Sequence, residues 1–324
     1  MSRGATLRKV GIAAALGGGG LTALSGLSYA VLAAEARFAR WMIGEISSPV
    51  PDATGWYGGS RGGDVVRIAL LGDSSAAGYG VETVEETPGA ALAASISEQS
   101  GRRVYLREVC KVGATSLDLS GQVTRALNLR PHVAVILIGA NDVTHTISPR
   151  SSVRALREAV RRLRAVGTEV IVGTCPDLGT VRPIPQPLRT VARVWSRRLA
   201  SDQSAGTLAE GGRPILLGSL LGPEFDASPS VLFGPDRFHP SAAGYAAMVR
   251  AVTPSVLAAI GVETADHVQQ ATMTLDQAVE AAVERPGTEL RAEPGRRGLV
   301  RVVFRRRTPL AAPEQPQEEQ PLGA

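Results

Sequence analysis

Aromatic residues and cysteine are both scarce in this 324-residue chain, and each scarcity removes a class of function. Phe, Trp and Tyr make up only 4% of the residues, too few for the stacking surfaces that hold unpaired bases. The net charge of +5 therefore reads as an arginine-rich solvated surface, and no nucleic-acid partner is expected. Cys110, Cys175 and the four histidines form no metal-ligand spacing, so neither a metal nor another cofactor is expected. The surroundings of Ser74 lack a G-x-S-x-G elbow, Gly78 and Gly80 complete no dinucleotide fingerprint, and Gly17 to Gly20 lacks the lysine of a phosphate loop. No internal repeat is evident.

With few aromatics, a hydrophobic fraction of 44% implies an aliphatic core rich in Ala and Gly, suited to close helix–sheet packing. The length fits one large domain with appendages. From Val65, strand-like and helix-like stretches alternate. The expected strands are Val65–Leu71, Val104–Cys110, Val133–Ile138, Glu169–Gly173 and Pro214–Leu217. Between them, Ser151–Ala165 repeats Val153, Leu156, Val160 and Leu163 at helical spacing, with arginines on the other face. Such alternation predicts an α/β domain, a parallel sheet covered on both sides by helices, over 65–262. Cys110 and Cys175 would then follow strands that are not neighbours, leaving two free, mostly buried thiols.

Ligands in these sheets bind beyond the carboxyl ends of the strands, and three polar motifs fall there. Gly72-Asp73-Ser74 follows the apolar run Ile68 to Leu71, and Gly139-Ala140-Asn141-Asp142 follows another. Far downstream, Asp236-Arg237-Phe238-His239 offers an acid and a histidine three residues apart. A serine hydroxyl is a poor nucleophile until a base accepts its proton, and an imidazole serves as that base when its other nitrogen is held by an acceptor. Ser74, His239 and Asp236 fill those three roles. The oxyanion created by attack needs preplaced donors, for which the amides of Ser74 and Gly113 and the Asn141 side chain are candidates. Each residue also has a plainer reading. Asp73 and Ser74 suit a helix N-cap, Asn141 and Gly113 suit turns, and Asp236 and His239 precede a helix started by Pro240 and Ser241. Asp73 is assigned to holding its loop. His132, His145 and His267 lack partners at ligand spacing and are read as structural.

The blocks GDSSAAGYG around Ser74, KVGATS around Gly113, GAND around Asn141 and DRFHPSAAGY around His239 together resemble the SGNH hydrolases, the GDSL lipase/esterase family. The likeness spans about Arg67 to Ile260 and is nearest to actinobacterial, mycobacterial-type members. It implies a three-layer α/β/α flavodoxin-like fold with a five-stranded parallel sheet, and hydrolysis of carboxylic esters through an acyl-enzyme, without cofactor. An acyltransferase using the same residues, or a non-catalytic binding module of the same fold, are the alternatives. The chain departs from many relatives before Gly113, where Glu108-Val109-Cys110-Lys111-Val112 replaces an asparagine-rich segment. Cys175 to Leu188, with Pro176, Pro183, Pro185 and Pro187, is expected to be a stiff loop that walls the acyl pocket.

The termini differ in character from this core. Arg3, Arg8 and Lys9 precede an uncharged stretch, Val10 to Ala34, long enough to cross a bilayer. Residues 1–42 are thus read as a membrane anchor, with a cleaved signal, through Ser28-Tyr29-Ala30, or a buried helix as alternatives. The charge asymmetry would put the catalytic domain outside the membrane. Residues 43–64 read as a linker, 263–308 as an extension with a helix at Leu275–Glu284 and a basic strand at Leu299–Phe304, and 309–324 as a disordered Pro/Glu/Gln-rich tail.

Overall fold

A computed structural model describes residues 30–39, 41–43, 49–262, 269–274, 288–292 and 299–304. The strands are β1 (Gly55–Tyr57), β2 (Val66–Gly72), β3 (Val104–Glu108), β4 (Val133–Leu137), β5 (Glu169–Gly173), β6 (Arg213–Ile215), β7 (Gln269–Thr274), β8 (Thr288–Ala292) and β9 (Leu299–Phe304). The helices are α1 (residues 30–39), α2 (Ser74–Ala77), α3 (Pro88–Ser100), α4 (Leu119–Leu127), α5 (Ala140–Thr144), α6 (Pro149–Arg164), α7 (Leu188–Ala209), α8 (Leu217–Ala227), α9 (Pro229–Leu232) and α10 (Ala242–Ala259).

All five expected strands are present and run parallel in the order β3-β2-β4-β5-β6. This is the flavodoxin-like order, with its switch point where β2 lies between β3 and β4. The sheet continues past both edges. β1 pairs antiparallel with β3, and β8, β9 and β7 add an antiparallel run beside β6. The segment read as a linker therefore supplies an edge strand, and the expected strand at Leu299–Phe304 is present. The helix expected at Leu275–Glu284 lies outside the described residues, as do His267 and most of the N-terminal segment.

The inner strands β2, β4 and β5 are mostly apolar because both of their faces are covered. Ile68 and Leu70 of β2 pack toward α3 and α10, whereas Ala69 and Leu71 pack toward α4 and α6. Local chemistry fixes where the helices start. Thr87 caps α3 and Ser148 caps α6, each followed by proline at the first helical position, and Ser241 caps α10 by accepting the Gly244 amide at 3.2 Å. α10 is the one described helix long and apolar enough to cross a membrane, but more than half of it is buried and it packs on α3 as a core helix. Cys110 and Cys175 are free thiols, separated by β2 and β4 in the sheet.

Candidate active site

The carboxyl end of β2 runs so close to β4 that only glycine fits. Gly72 has φ +138°, and a Cβ there would lie 1.9 Å from the Leu137 carbonyl oxygen. The Gln122 side chain brackets the same residue, accepting the Gly72 amide at 2.7 Å and donating to its carbonyl at 2.9 Å. Asp73 then caps α2 by accepting the Ser75 amide at 2.8 Å, the loop-holding role assigned to it. Burial drives the Asp73 pKa up to about 6. Ser74 follows as the first residue of α2, and its amide donates to no group among the described residues.

A tight turn between α9 and α10 carries the histidine. Arg237 adopts φ +56°, which folds the turn so that Asp236 Oδ1 accepts the amides of Phe238 and His239, each at 3.0 Å. The second carboxylate oxygen lies 2.6 Å from His239 Nδ1, and His239 Nε2 lies 3.0 Å from Ser74 Oγ. Burial acts to raise the Asp236 pKa. Hydrogen bonds from the His239 ring and the two amides outweigh it and hold the carboxyl below its ordinary value. Tyr79 and Phe238 meet the imidazole edge-on, with ring centroids at 4.6 and 4.9 Å. Buried Tyr245 donates to the Tyr79 carbonyl at 2.8 Å and so ties α10 to the segment after α2.

Asn141 belongs to a second glycine-dependent turn. At Gly139, φ is +138° and a Cβ would stand 2.7 Å from that of Cys175. The Asn141 side chain donates one N–H to the Ala114 carbonyl at 3.0 Å and faces the same pocket as Ser74 and His239. Next to it, buried Asp142 turns the other way and accepts from the Ser116 amide at 3.1 Å and hydroxyl at 2.8 Å. Gly113 has φ +77° in the turn closed by the Ala114 amide on the Lys111 carbonyl, and it stands outside the pocket lining. The four expected blocks thus converge. Ser74, Asp236 and His239 form one hydrogen-bonded chain, Asn141 borders it, and Gly113 adjoins through Ala114. From an exposed position, His145 Nδ1 lies 3.0 Å from the Asn141 carbonyl oxygen and 3.3 Å from the Thr144 hydroxyl.

Beside this chain lies an apolar cavity of about 90 Å³, walled by Leu137, Leu178, Leu217, Leu221, Phe225 and Phe233. Part of the proline-rich loop lines it, through Pro176, Leu178 and Val181. Sequence reasoning missed the polar residues that lock the turns. Gln122 and Asp142 are two; Gln203, which accepts the Cys175 amide at 2.8 Å and donates to the Ile138 carbonyl at 3.2 Å, is a third. Only Asp142 carried a signal, its place directly after Asn141.

The profile of the GDSL-like Lipase/Acylhydrolase family matches residues 70–247. A GDSL-like esterase of Mycobacterium tuberculosis, Rv1075c, is 42% identical over 249 residues, which cover 72% of this chain and 79% of the relative. Solved structures with a similar course include TesA, at 20% identity over 60% of this chain and 99% of that one, with a TM-score of 0.46. Another is a variant of an acetyl-xylooligosaccharide esterase from Geobacillus stearothermophilus, at 17% identity over 61% of this chain and 95% of that one, with a TM-score of 0.47. On the family match and the mycobacterial relative, the chain belongs to the GDSL-like lipase/acylhydrolase family, the SGNH hydrolases, and is a carboxylic ester hydrolase of that family.

Proposed function

We propose that the protein cleaves carboxylic esters through an acyl-enzyme on Ser74. The observation that carries this reading is the unbroken chain from Ser74 Oγ to His239 Nε2 at 3.0 Å and from His239 Nδ1 to Asp236 at 2.6 Å. His239 takes the Ser74 proton as the hydroxyl oxygen attacks the ester carbonyl, and returns it to the leaving alcohol. Asp236 holds the imidazole with its proton on Nδ1 and stabilises the imidazolium that forms. A water activated by the same histidine then releases the acid.

The oxyanion meets the Ser74 amide, which has no other acceptor among the described residues, and the Asn141 N–H not used on Ala114. The Gly113 amide, in the loop tied to Asn141, is the third donor. The 90 Å³ cavity beside Ser74 receives the acyl tail. The uncharged stretch after Arg3, Arg8 and Lys9 supports a membrane-anchored or exported enzyme with its catalytic domain outside the cytoplasm.

A serine-directed fluorophosphonate tests the reading. Wild type labels and Ser74→Ala does not. A folded wild type that resists labelling overturns the mechanism.

A further inference from the structure

A helix packed on the wall of the active-site pocket carries exposed aromatic and basic residues on its outer side. Along residues 30–43, Ala39 is buried, whereas Val31, Phe38 and Trp41 are 40, 49 and 74% exposed. Ala39 packs in the same apolar cluster as Leu178, Val181, Phe233 and Phe238, and those four residues also line the pocket. Glu35 fastens α1 to the start of α7, accepting the Leu188 amide at 2.8 Å. Val194 and Trp195, both more than half exposed, lie further along α7. Seven residues separate Leu188 from Trp195, roughly 10 Å of helix.

Two observations identify what covers this face. The uncharged stretch Val10 to Ala34, of bilayer-crossing length, runs directly into it, so Phe38 and Trp41 stand where a crossing segment leaves the hydrocarbon. Tryptophan and other aromatics belong at that depth, because an amphipathic ring favours the headgroup boundary. The charge also fits. Arg37 and Arg198 are exposed and Arg189 is partly so, none of the three forms an ion pair among the described residues, and residues 188–201 of α7 contain no acid. Such a surface complements anionic lipid headgroups.

We infer that the outer face of α1, with the exposed residues of α7, is a membrane-interface surface that seats the pocket against an anionic bilayer. The inference rests on the esterase reading for its consequence. The small cavity takes only a short acyl group, so the part of the substrate that lies in the headgroup layer is the alcohol: a short-acyl ester of an amphipathic alcohol.

The chain has three tryptophans, which makes the test direct. Trp56 packs on Tyr105 and under Arg103 at the β1 edge, across the sheet from α7, and serves as the reference. The full chain is reconstituted in phosphatidylcholine vesicles containing phosphatidylglycerol, with lipids brominated near the headgroup end of the tails. A variant keeping only Trp41 (Trp56→Phe, Trp195→Phe) should lose more than half its fluorescence, and one keeping only Trp56 almost none. Equal quenching of the two, or an unquenched Trp41, overturns the inference.

Because the N-terminal segment alone could hold the chain on vesicles, it is this depth, and not attachment, that decides. In the same vesicles, the double variant Phe38→Ser, Trp41→Ser should hydrolyse a vesicle-borne acetate of a long-chain alcohol about tenfold more slowly, with p-nitrophenyl acetate turnover unchanged. An unchanged rate on the vesicle-borne ester overturns the inference. Loss of both activities in wild type would instead sink the esterase reading while leaving the quenching result standing.

Discussion

Asp142 and Ser116 are joined in the protein interior by a carboxylate that accepts both the serine amide and its hydroxyl, the latter at 2.8 Å. Through this pair the turn that carries Asn141 is locked to the loop that carries Gly113. Ser152 of α6 adds its own hydroxyl to Ser116 at 3.0 Å, so the junction is also pinned from the helical layer. The two turns are therefore tied to one another, and in the proposed mechanism Asp142 acts through Asn141 and not by touching substrate.

Asp142→Ala should accordingly lower kcat by roughly tenfold to a hundredfold, part of what loss of a whole oxyanion donor costs. KM should change little, because the acyl cavity is untouched. Asp142→Asn retains an acceptor for the Ser116 amide and should recover a good part of the rate. Steady-state kinetics of the two variants on one soluble ester would check this; a loss of KM alone would place Asp142 in substrate binding.

The carboxylate of Asp236 uses both oxygens, one on two backbone amides and one on the imidazole. Asp236→Asn keeps an acceptor for the amides but can no longer receive the His239 Nδ1 proton, so the ring turns to the wrong tautomer. The expected result is a fall in kcat of about a thousandfold or more with the fold intact. Asp236→Ala also leaves the two amides unpaired and should lower the melting temperature further. Kinetics paired with thermal melts of both variants separates the catalytic effect from the structural one.

Much of the architecture was legible because the sheet is covered on both faces. β2, β4 and β5 read as continuous apolar runs, and their turns read as Gly followed by small polar residues. β1 was not legible. It is three residues long, begins with Gly55 and is followed by Gly58 and Gly59, and exists only because β3 offers it an antiparallel partner about fifty residues away. Among site residues, Ser74, Asn141 and His239 stood in recognisable local blocks. Gln122 and Gln203 did not, because a buried amide that brackets a distant turn leaves no trace in its own neighbourhood. For the same reason, the link from Gly113 to Asn141 through Ala114 appears only when the two loops are seen together.

The segment before β1 is latched by a further, partly buried carboxyl. Glu108, at the end of β3, accepts the Ala53 amide at 3.0 Å, and the absence of a side chain at Gly89 makes room for its other oxygen. Burial, reinforced by the Asp52 charge, raises its pKa from 4.5 to about 7. A carboxyl raised in the folded state binds a proton that the unfolded chain has already lost, so stability falls as pH rises from about 4.5 to about 7 and is level above. The shift corresponds to about 3 kcal/mol at most. Glu108→Gln, which carries no charge to bury, should match wild type at pH 4 and melt at a higher temperature at pH 8. A difference that is independent of pH would remove Glu108 as the cause.

Cavity size sets the final expectation. An apolar cavity of about 150 Å³ accepts a benzene ring, so the 90 Å³ beside Ser74 has room for roughly three or four carbons. Activity on p-nitrophenyl esters should therefore peak between acetate and butyrate and fall steeply by octanoate. Leu221 lies on α8 in the cavity wall and is only partly buried, so shortening it enlarges the space without emptying the core. Leu221→Ala removes three carbons and should move the optimum two or three carbons upward, raising kcat/KM for hexanoate relative to acetate. The ratio of the two specificity constants is the measurement that matters, since general loss of stability would lower both together. An unchanged ratio would mean that the acyl tail leaves the active site by another route.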